Sequence, residues 1–323
     1  MQNSKDRKEK NHIRKGTRRS ANLATLRPFF AKLFEQFHSS HWIASDPIQY
    51  AHRYSKPDDQ EIAAFIAACF AYGSVQLVHR AVEAVLAPMG EHPATFVRNF
   101  DGSNHWPGFY HRFHHEDHVV ILVTLLKRAF VEYGSLSEMF RQNSETGSQA
   151  PTNRCEAVLN GAARWFREHS SAEVTRLQAP ELLRGMRFFF NAPADGSACK
   201  RMVMFLRWMV RKDEIDLGLW SWMEAKDLIV PADTHVARIS YYLRLRGGKE
   251  QAAPNWKMAR EITASLERIN VVDPVSYDFA LARLGILDIC KRTYTKSICE
   301  RCPVEPGCRF SNIKANTKRR KAV

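Results

Sequence analysis

Apolar positions recur along this chain with the period of a helix. Ile62, Phe65, Ile66, Cys69 and Phe70 fall on one helical face, and the acidic run Asp58-Asp59-Gln60-Glu61 ahead of them suits a helix N-terminus. Val75 to Leu86 carries the same period and stops at Pro88-Met89-Gly90. Residues 117–133 predict a strongly apolar helix closed by Tyr133-Gly134-Ser135. From Gln142 to Asn153 the chain is rich in Ser, Thr, Gln and Asn, with Gly147 and Pro151, and reads as a loop or linker. Helical spacing returns over 155–168 and 180–190. From Cys199 to Val210 nearly every residue is large and apolar, which places that helix in the middle of a domain. Asp273-Pro274 offers a cap and a first-turn proline for a helix running to about Cys290, and Asp233 an N-cap for the helix carrying Val236, Ile239 and Leu243. Strand patterns are sparse and no repeat is evident, so the class is all-α.

A chain of 323 residues suits one large domain or two moderate ones. The longest apolar run, Val119 to Leu126, is far too short to cross a bilayer, and the polar, basic N-terminus does not resemble a secretory leader. An intracellular, cytoplasmic protein is expected. The net charge of +14 invites a nucleic-acid partner, but most of it sits at the ends. Residues 1–20 carry +6 and residues 309–323 another +6, leaving +2 for everything between. The two ends read as basic tails that raise affinity for any polyanion, RNA included.

Four of the seven cysteines crowd into the segment Cys290-x8-Cys299-x2-Cys302-x5-Cys308. In a reducing compartment such density means metal ligation rather than disulfides. Four thiolates can hold zinc or a [4Fe–4S] cluster. Structural zinc sites usually pair two short Cys-x-x-Cys knuckles, whereas here one short pair is flanked by single cysteines at unequal distances, a wrap that suits a cubane. The loop between the first two cysteines holds Lys291, Arg292 and Lys296 with no acid, donors that could meet phosphates.

Two further segments carry candidate chemistry. Pro193 to Arg201 is a tight turn whose small residues Gly196, Ser197 and Ala198 would let backbone N–H groups approach a phosphate, with Lys200 and Arg201 directly behind. An ordinary helix–helix turn would look the same. Asp233-Thr234-His235-Val236 is the second. Five histidines between His105 and His118, with His111/His115 and His114/His118 at helical spacing, read as a solvated or DNA-facing surface more readily than as a metal site. Gly108-Phe109-Tyr110 with Arg112 offers either a pocket edge or core packing, and Trp220 and Trp222 read as packing under the cysteine-bearing lobe.

In this order, Lys200, then Asp233-Thr234-His235-Val236, then the four cysteines, the chain resembles the endonuclease III branch of the helix-hairpin-helix DNA glycosylase superfamily. It is most similar there to an uncharacterised group of bacterial conserved proteins. The likeness runs over about 60 to 308. It implies a two-lobed all-α fold with a C-terminal iron–sulfur loop, acting on a damaged base flipped out of duplex DNA. Lys200 would attack the sugar as an amine nucleophile and Asp233 would stabilise the cationic sugar. Gly196, Ser197, Ala198, Arg201, Lys291, Arg292 and Lys296 would contact DNA, and Cys290, Cys299, Cys302 and Cys308 would hold the cluster, with zinc the alternative. The implied protein is a monomeric base-excision glycosylase with AP-lyase activity, located at the bacterial nucleoid.

Several positions depart from the family pattern. Ala198 stands where a second glycine is usual, Lys200 and Asp233 are 33 residues apart, a long interval that resembles archaeal 8-oxoguanine glycosylases, which lack the cluster, and the early helix reads Cys69-Phe70-Ala71-Tyr72-Gly73 without the Gln-Thr wedge. The expected division is a basic tail at 1–20, a helical segment packing with the cluster lobe at 21–58, a lobe ending in the hairpin at 59–212, a lobe bearing Asp233 and the cysteines at 213–308, and a basic tail at 309–323. The alternative in another class is a non-catalytic DNA-binding or damage-sensing protein that keeps the fold.

Overall fold

The computed structural model describes residues 23–145, 153–291 and 295–309, so the two basic tails and Arg292 lie wholly or largely outside the described residues. The chain is mainly helical. After a 3-10 turn it forms α1 (Arg27–Phe37), two further 3-10 stretches (Ser40–Ser45 and Pro47–Arg53), then α2 (Pro57–Phe70), α3 (Val75–Leu86) and α4 (Pro93–Asn99). A two-residue antiparallel ribbon, β1 (Tyr110–His111) and β2 (His114–His115), leads into α5 (Glu116–Tyr133). There follow α6 (Leu136–Ser144), α7 (Arg154–Arg176), α8 (Leu182–Phe189), α9 (Lys200–Val210), α10 (Thr234–Tyr242), α11 (Trp256–Glu267), α12 (Asp278–Ile286) and the single turn α13 (Lys296–Cys299). Among the described residues no helix is long and apolar enough to cross a membrane.

Local chemistry explains most boundaries. Pro57 opens α2 with Asp58 and Asp59 in its first turn, where carboxylates meet the positive end of the helix. Gly134, with φ +82°, ends α5 in the left-handed region that other residues avoid. Ser74, Ser135, Asn153, Asp233 and Asn255 cap α3, α6, α7, α10 and α11 by accepting from backbone N–H groups. The predicted helix after Asp273-Pro274 begins later than expected, at Asp278. The Asp273 carboxylate is instead engaged by Arg211, with 2.9 Å from Nε to Oδ2.

The interior is built around α2 and α9. Every residue of α2 from Ile62 to Phe70 is fully buried, and in α9 Val203, Phe205, Leu206, Trp208 and Met209 are likewise. Phe65 sets its ring against Phe140, Phe166 and Phe205, joining α2, α6, α7 and α9. Trp220 packs there too, 5.1 Å from Phe140 and 5.2 Å from Phe205, with Trp222 stacked on it. The two tryptophans thus serve the lobe of α2 and α6 and not the cysteine-bearing one.

The histidines also differ from expectation. His111 and His114 are buried because the chain makes a ribbon there and not one helix, and His118 is buried in the first turn of α5. His114 uses both ring nitrogens, one with the Tyr72 hydroxyl and one 2.9 Å from the Gly185 carbonyl oxygen. Burial pulls its pKa down to about 3 and that of His118 to about 4, so both are neutral at neutral pH.

One buried carboxyl pins three elements together. Glu61 accepts from the Leu136 and Ser137 N–H groups at the start of α6, both at 3.1 Å, and from the Trp220 indole at 2.7 Å. Burial pushes its pKa up to about 7 against those three donors. A raised carboxyl pKa favours folding below its unfolded value, and the benefit is lost as pH rises through 7. Glu61→Gln keeps the shape but turns an amide toward one N–H. Urea unfolding is expected to show a loss of about 1–3 kcal/mol at acidic pH that shrinks above neutrality, where the native carboxylate itself is costly. A loss independent of pH would contradict this assignment.

Candidate functional site

A cavity of about 190 Å³ opens where the ends of α2 and α9 meet α3, α10, α12 and the Asp46-Pro47 segment. Lys200, the first residue of α9, and Asp233, the N-cap of α10, both line it. The remaining wall is mostly apolar and includes Val78, Met204, Val236 and Phe279. The space lies below the roughly 300 Å³ at which drug-sized pockets begin, so it admits a fragment such as a base or a sugar.

The turn from α8 to α9 fixes Lys200. Gly196 turns the chain at φ +75°, and Cys199 also takes a left-handed conformation, φ +48°, as the residue before α9. The Cys199 thiol donates to the Asn191 and Ser197 carbonyl oxygens, each at 3.3 Å, which holds this unusual backbone. The turn is tied to α11 by the Trp256 N–H on the Gly196 carbonyl oxygen, 3.0 Å, and by a bridge between Ser197 and Asn255. Gly196 is exposed, Ser197 half-buried and Ala198 buried. Ser197, Ala198 and Lys200 border a second cavity of about 230 Å³.

Arg201 requires a correction. The sequence suggests a phosphate contact, but the side chain turns inward and only 8% of the residue is exposed. Its guanidinium donates to the Cys69 carbonyl oxygen at 3.0 Å and to that of Phe188, and lies 4.0 Å from the Phe188 ring centroid. Burial without a carboxylate pulls its pKa down to about 10. Arg201 therefore ties the ends of α2 and α8 to α9, because those C-terminal carbonyls need donors.

On the opposite wall, the Asp233 carboxylate accepts from the Val236 N–H at 2.8 Å and so caps α10 while bordering the cavity. Gly285 allows α12 to lie against α10. A Cβ there would come within 2.6 Å of the Cβ of His235. That close crossing brings Asp278 and Phe279 of α12 into the same cavity as Asp233.

Asp278 and Arg207 were not singled out from the sequence. Arg207 of α9 donates to Asp278 and to Asp216, the latter at 3.2 Å from Nε. Arg211 pairs with Asp216, Asp213 and Asp273. Arg283 reaches Asp46 at 3.0 Å. Arg207 is a charge set deep in the apolar stretch of α9, and that was the available clue.

The four cysteines line a single cavity whose other walls include Ile239, Leu243, Leu284, Ile289 and Val304. None of the four forms a disulfide. The Cys290 N–H is held by the Leu284 carbonyl at 2.8 Å, and the Thr295 N–H donates to the Cys299 sulfur at 3.4 Å. After Cys308, Arg309 bonds through its backbone N–H to the Tyr242 carbonyl oxygen, 2.8 Å, and through Nε to that of Tyr241, 2.6 Å. Gly307 admits Leu26, whose Cδ2 would lie 2.4 Å from a Cβ at that position. Burial, with the other three cysteines adding, raises the Cys302 thiol to about 11. Among the described residues no group of three or more His, Cys, Asp or Glu side chains is gathered tightly enough for one metal ion. Four thiols on one apolar cavity are the donor chemistry that a cluster-type group takes, and a backbone N–H already meets the Cys299 sulfur. Lys291 is exposed and pairs with Asp288. Lys296 opens α13, and Arg292 lies outside the described residues.

Comparison with known proteins places this geometry in a family without assigning it an activity. Residues 46–287 match the profile of a family described as a protein of unknown function, DUF2400. No curated protein and no solved structure matches the chain. The matched region contains Lys200, Asp233 and Asp278 and stops before Cys290. The chain belongs to the DUF2400 family.

Proposed function

We propose that this protein is a base-excision DNA glycosylase with AP-lyase activity, built on a helix-hairpin-helix glycosylase fold and carrying a [4Fe–4S] cluster on its four-cysteine loop. One observation carries the reading. Lys200 and Asp233, 33 residues apart and at the N-termini of two different helices, face one cavity of base or sugar size.

In this reading the turn between α8 and α9 meets the DNA backbone, with the half-buried Ser197 offering its backbone N–H to a phosphate beside the exposed Gly196, whose own N–H is held by the Pro193 carbonyl oxygen at 2.8 Å. The damaged nucleotide swings out of the stack into the cavity. The Lys200 amine attacks C1′. A C–N bond forms to the lysine, the glycosidic bond breaks, and the base leaves with its electron pair and takes up the proton that the Lys200 nitrogen loses. Asp233, held in place by its capping bond, sets a negative charge beside the cationic sugar. Ring opening of the sugar then gives a Schiff base at Lys200, the starting point for strand cleavage.

Cys290, Cys299, Cys302 and Cys308 would hold the cluster, which when bound supplies a rigid cross-link between the end of α12 and the segment docked on α10. Arg309, bonded to the last turn of α10, then links that segment to the helix whose first turn bears Asp233.

Borohydride reduction in the presence of duplex DNA with an abasic site or a panel of damaged bases tests the chemistry. A covalent protein–DNA adduct is expected, absent in Lys200→Ala and about 10²–10⁴-fold slower to form in Asp233→Asn. Absence of any adduct in the wild type across the panel would remove the glycosylase reading and leave a binding protein. Protein purified without oxygen should be brown, with about four irons per chain. A colourless, zinc-loaded protein would contradict the cluster.

A further inference from the structure

We propose that the tip of the β1–β2 ribbon is a stacking platform for an unpaired nucleobase, with Tyr110 and Phe113 meeting the base and Arg112 the phosphate beside it. It takes from the reading above only that DNA is the partner, and it needs no lysine chemistry.

The stretch from Phe109 to Phe113 divides between core and solvent. Phe109 is buried and packs edge-on against Phe70, 5.6 Å between ring centroids. Tyr110 is 72% exposed and Phe113 44%, and Arg112 between them is exposed too. Tyr110 pairs in register with His115, on the face of the ribbon opposite the buried His111 and His114. Two open aromatic rings flanking a cation suit a partner with flat faces and negative charge.

The bonds that anchor the ribbon fix where these side chains stand. His114 Nε2–H donates to the Gly185 carbonyl oxygen at 2.9 Å, which leaves Nδ1 to accept from the Tyr72 hydroxyl. His111 Nε2–H donates to the Tyr72 carbonyl oxygen at 3.0 Å. Phe113 stacks on Tyr72 at 5.8 Å and meets Phe188 edge-on at 4.8 Å, so part of its ring packs and the rest stands in solvent. An aromatic ring held this way loses little conformational entropy when a base stacks on it.

Placement and charge name the partner. Gly73 lines the cavity shared by Lys200 and Asp233, and a Cβ on it would lie 3.7 Å from Arg112 Cδ, so Arg112 runs along the cavity rim. The tip, Tyr110 to Phe113, carries one cation and no acid. The acids at its foot are engaged: Glu116 receives the Gly108 N–H, and Asp117 lies 3.4 Å from His115. Helix α8, which receives the ribbon at Gly185, adds the exposed Arg184 and Arg187 and has no acid from Leu182 to Phe189. Aromatic rings set among cations bind nucleic-acid strands by stacking on bases and pairing with phosphates. In a matched duplex the base faces are already stacked on one another. An unpaired base offers one.

Fluorescence anisotropy compares the full-length protein on a matched duplex and on the same duplex with one extra, undamaged adenine as a bulge. The wild type is expected to bind the bulged duplex about tenfold or more tightly. Tyr110→Ala, a change outside the core, should lose most of that preference, and Tyr110→Trp should keep it. Phe113→Leu should act as Tyr110→Ala does. Arg112→Ala should weaken both duplexes alike and lower the slope of log affinity against log salt by about one. Equal affinity for the two duplexes in the wild type, or no binding of either, would overturn the proposal. A preference that survives the double change Tyr110→Ala with Phe113→Leu would do the same. So would one abolished by Lys200→Ala, which would put the unpaired base in the cavity. Adduct formation under borohydride without any bulge preference would remove the platform and leave the glycosylase reading standing. Bulge preference without any adduct would do the reverse.

Discussion

Arg207 is the constraint on which the rest of the molecule turns. A guanidinium buried in the middle of an apolar helix must be paired, since breaking such a pair typically costs about 3–5 kcal/mol. Its partners, Asp216 and Asp278, come from the segment after α9 and from the start of α12, 9 and 71 residues away. Satisfying it fixes α12 against α9, and Arg211 and Arg283 extend the same requirement to Asp273 and Asp46. The cavity exists because those elements are held at their ends while the apolar side chains between them leave a gap. The fold and the candidate site therefore share one set of buried charges.

Within that frame each helix terminus has a second task. Asp233 caps α10 and borders the cavity, so its orientation is paid for by helix formation. Lys200 opens α9 directly behind the left-handed Cys199, which sets the direction in which the helix starts. Arg309 connects the cysteine segment to the last turn of the helix that Asp233 begins. A group bound at the four thiols would thus act on the cavity through one helix, by stiffening it and not by touching the ligand.

Much of the helical framework was legible because it depends on local period and punctuation. The continuous apolar stretch at 199–210 announced a central helix, and Gly134 ended α5 where the pattern stopped. What was not legible depended on distant partners. Nothing near Arg207 in the chain announces Asp278. Arg201 looked like a phosphate ligand because it follows a small-residue turn, but the Cys69 and Phe188 carbonyls that claim it come from other helices. The histidines at 111–118 have helical spacing, yet Arg112 takes φ +60° and the chain folds back as a ribbon that buries His111 and His114, while His118 is buried in α5. Trp220 was placed in the wrong lobe because its indole partner, Glu61, lies 159 residues earlier. The pairing of Lys200 with Asp233 came from a family resemblance; the common cavity is a property of the structure.

The central claim is that DNA chemistry takes place in the cavity shared by Lys200 and Asp233. A crystal structure of the full-length protein with duplex DNA containing a tetrahydrofuran abasic site tests it most directly. The account predicts the sugar turned out of the helix into that cavity, its C1′ position facing Lys200 and its flanking phosphate on the turn at Gly196 and Ser197. Duplex bound across another face, with the sugar stacked in the helix and the cavity untouched, would contradict it.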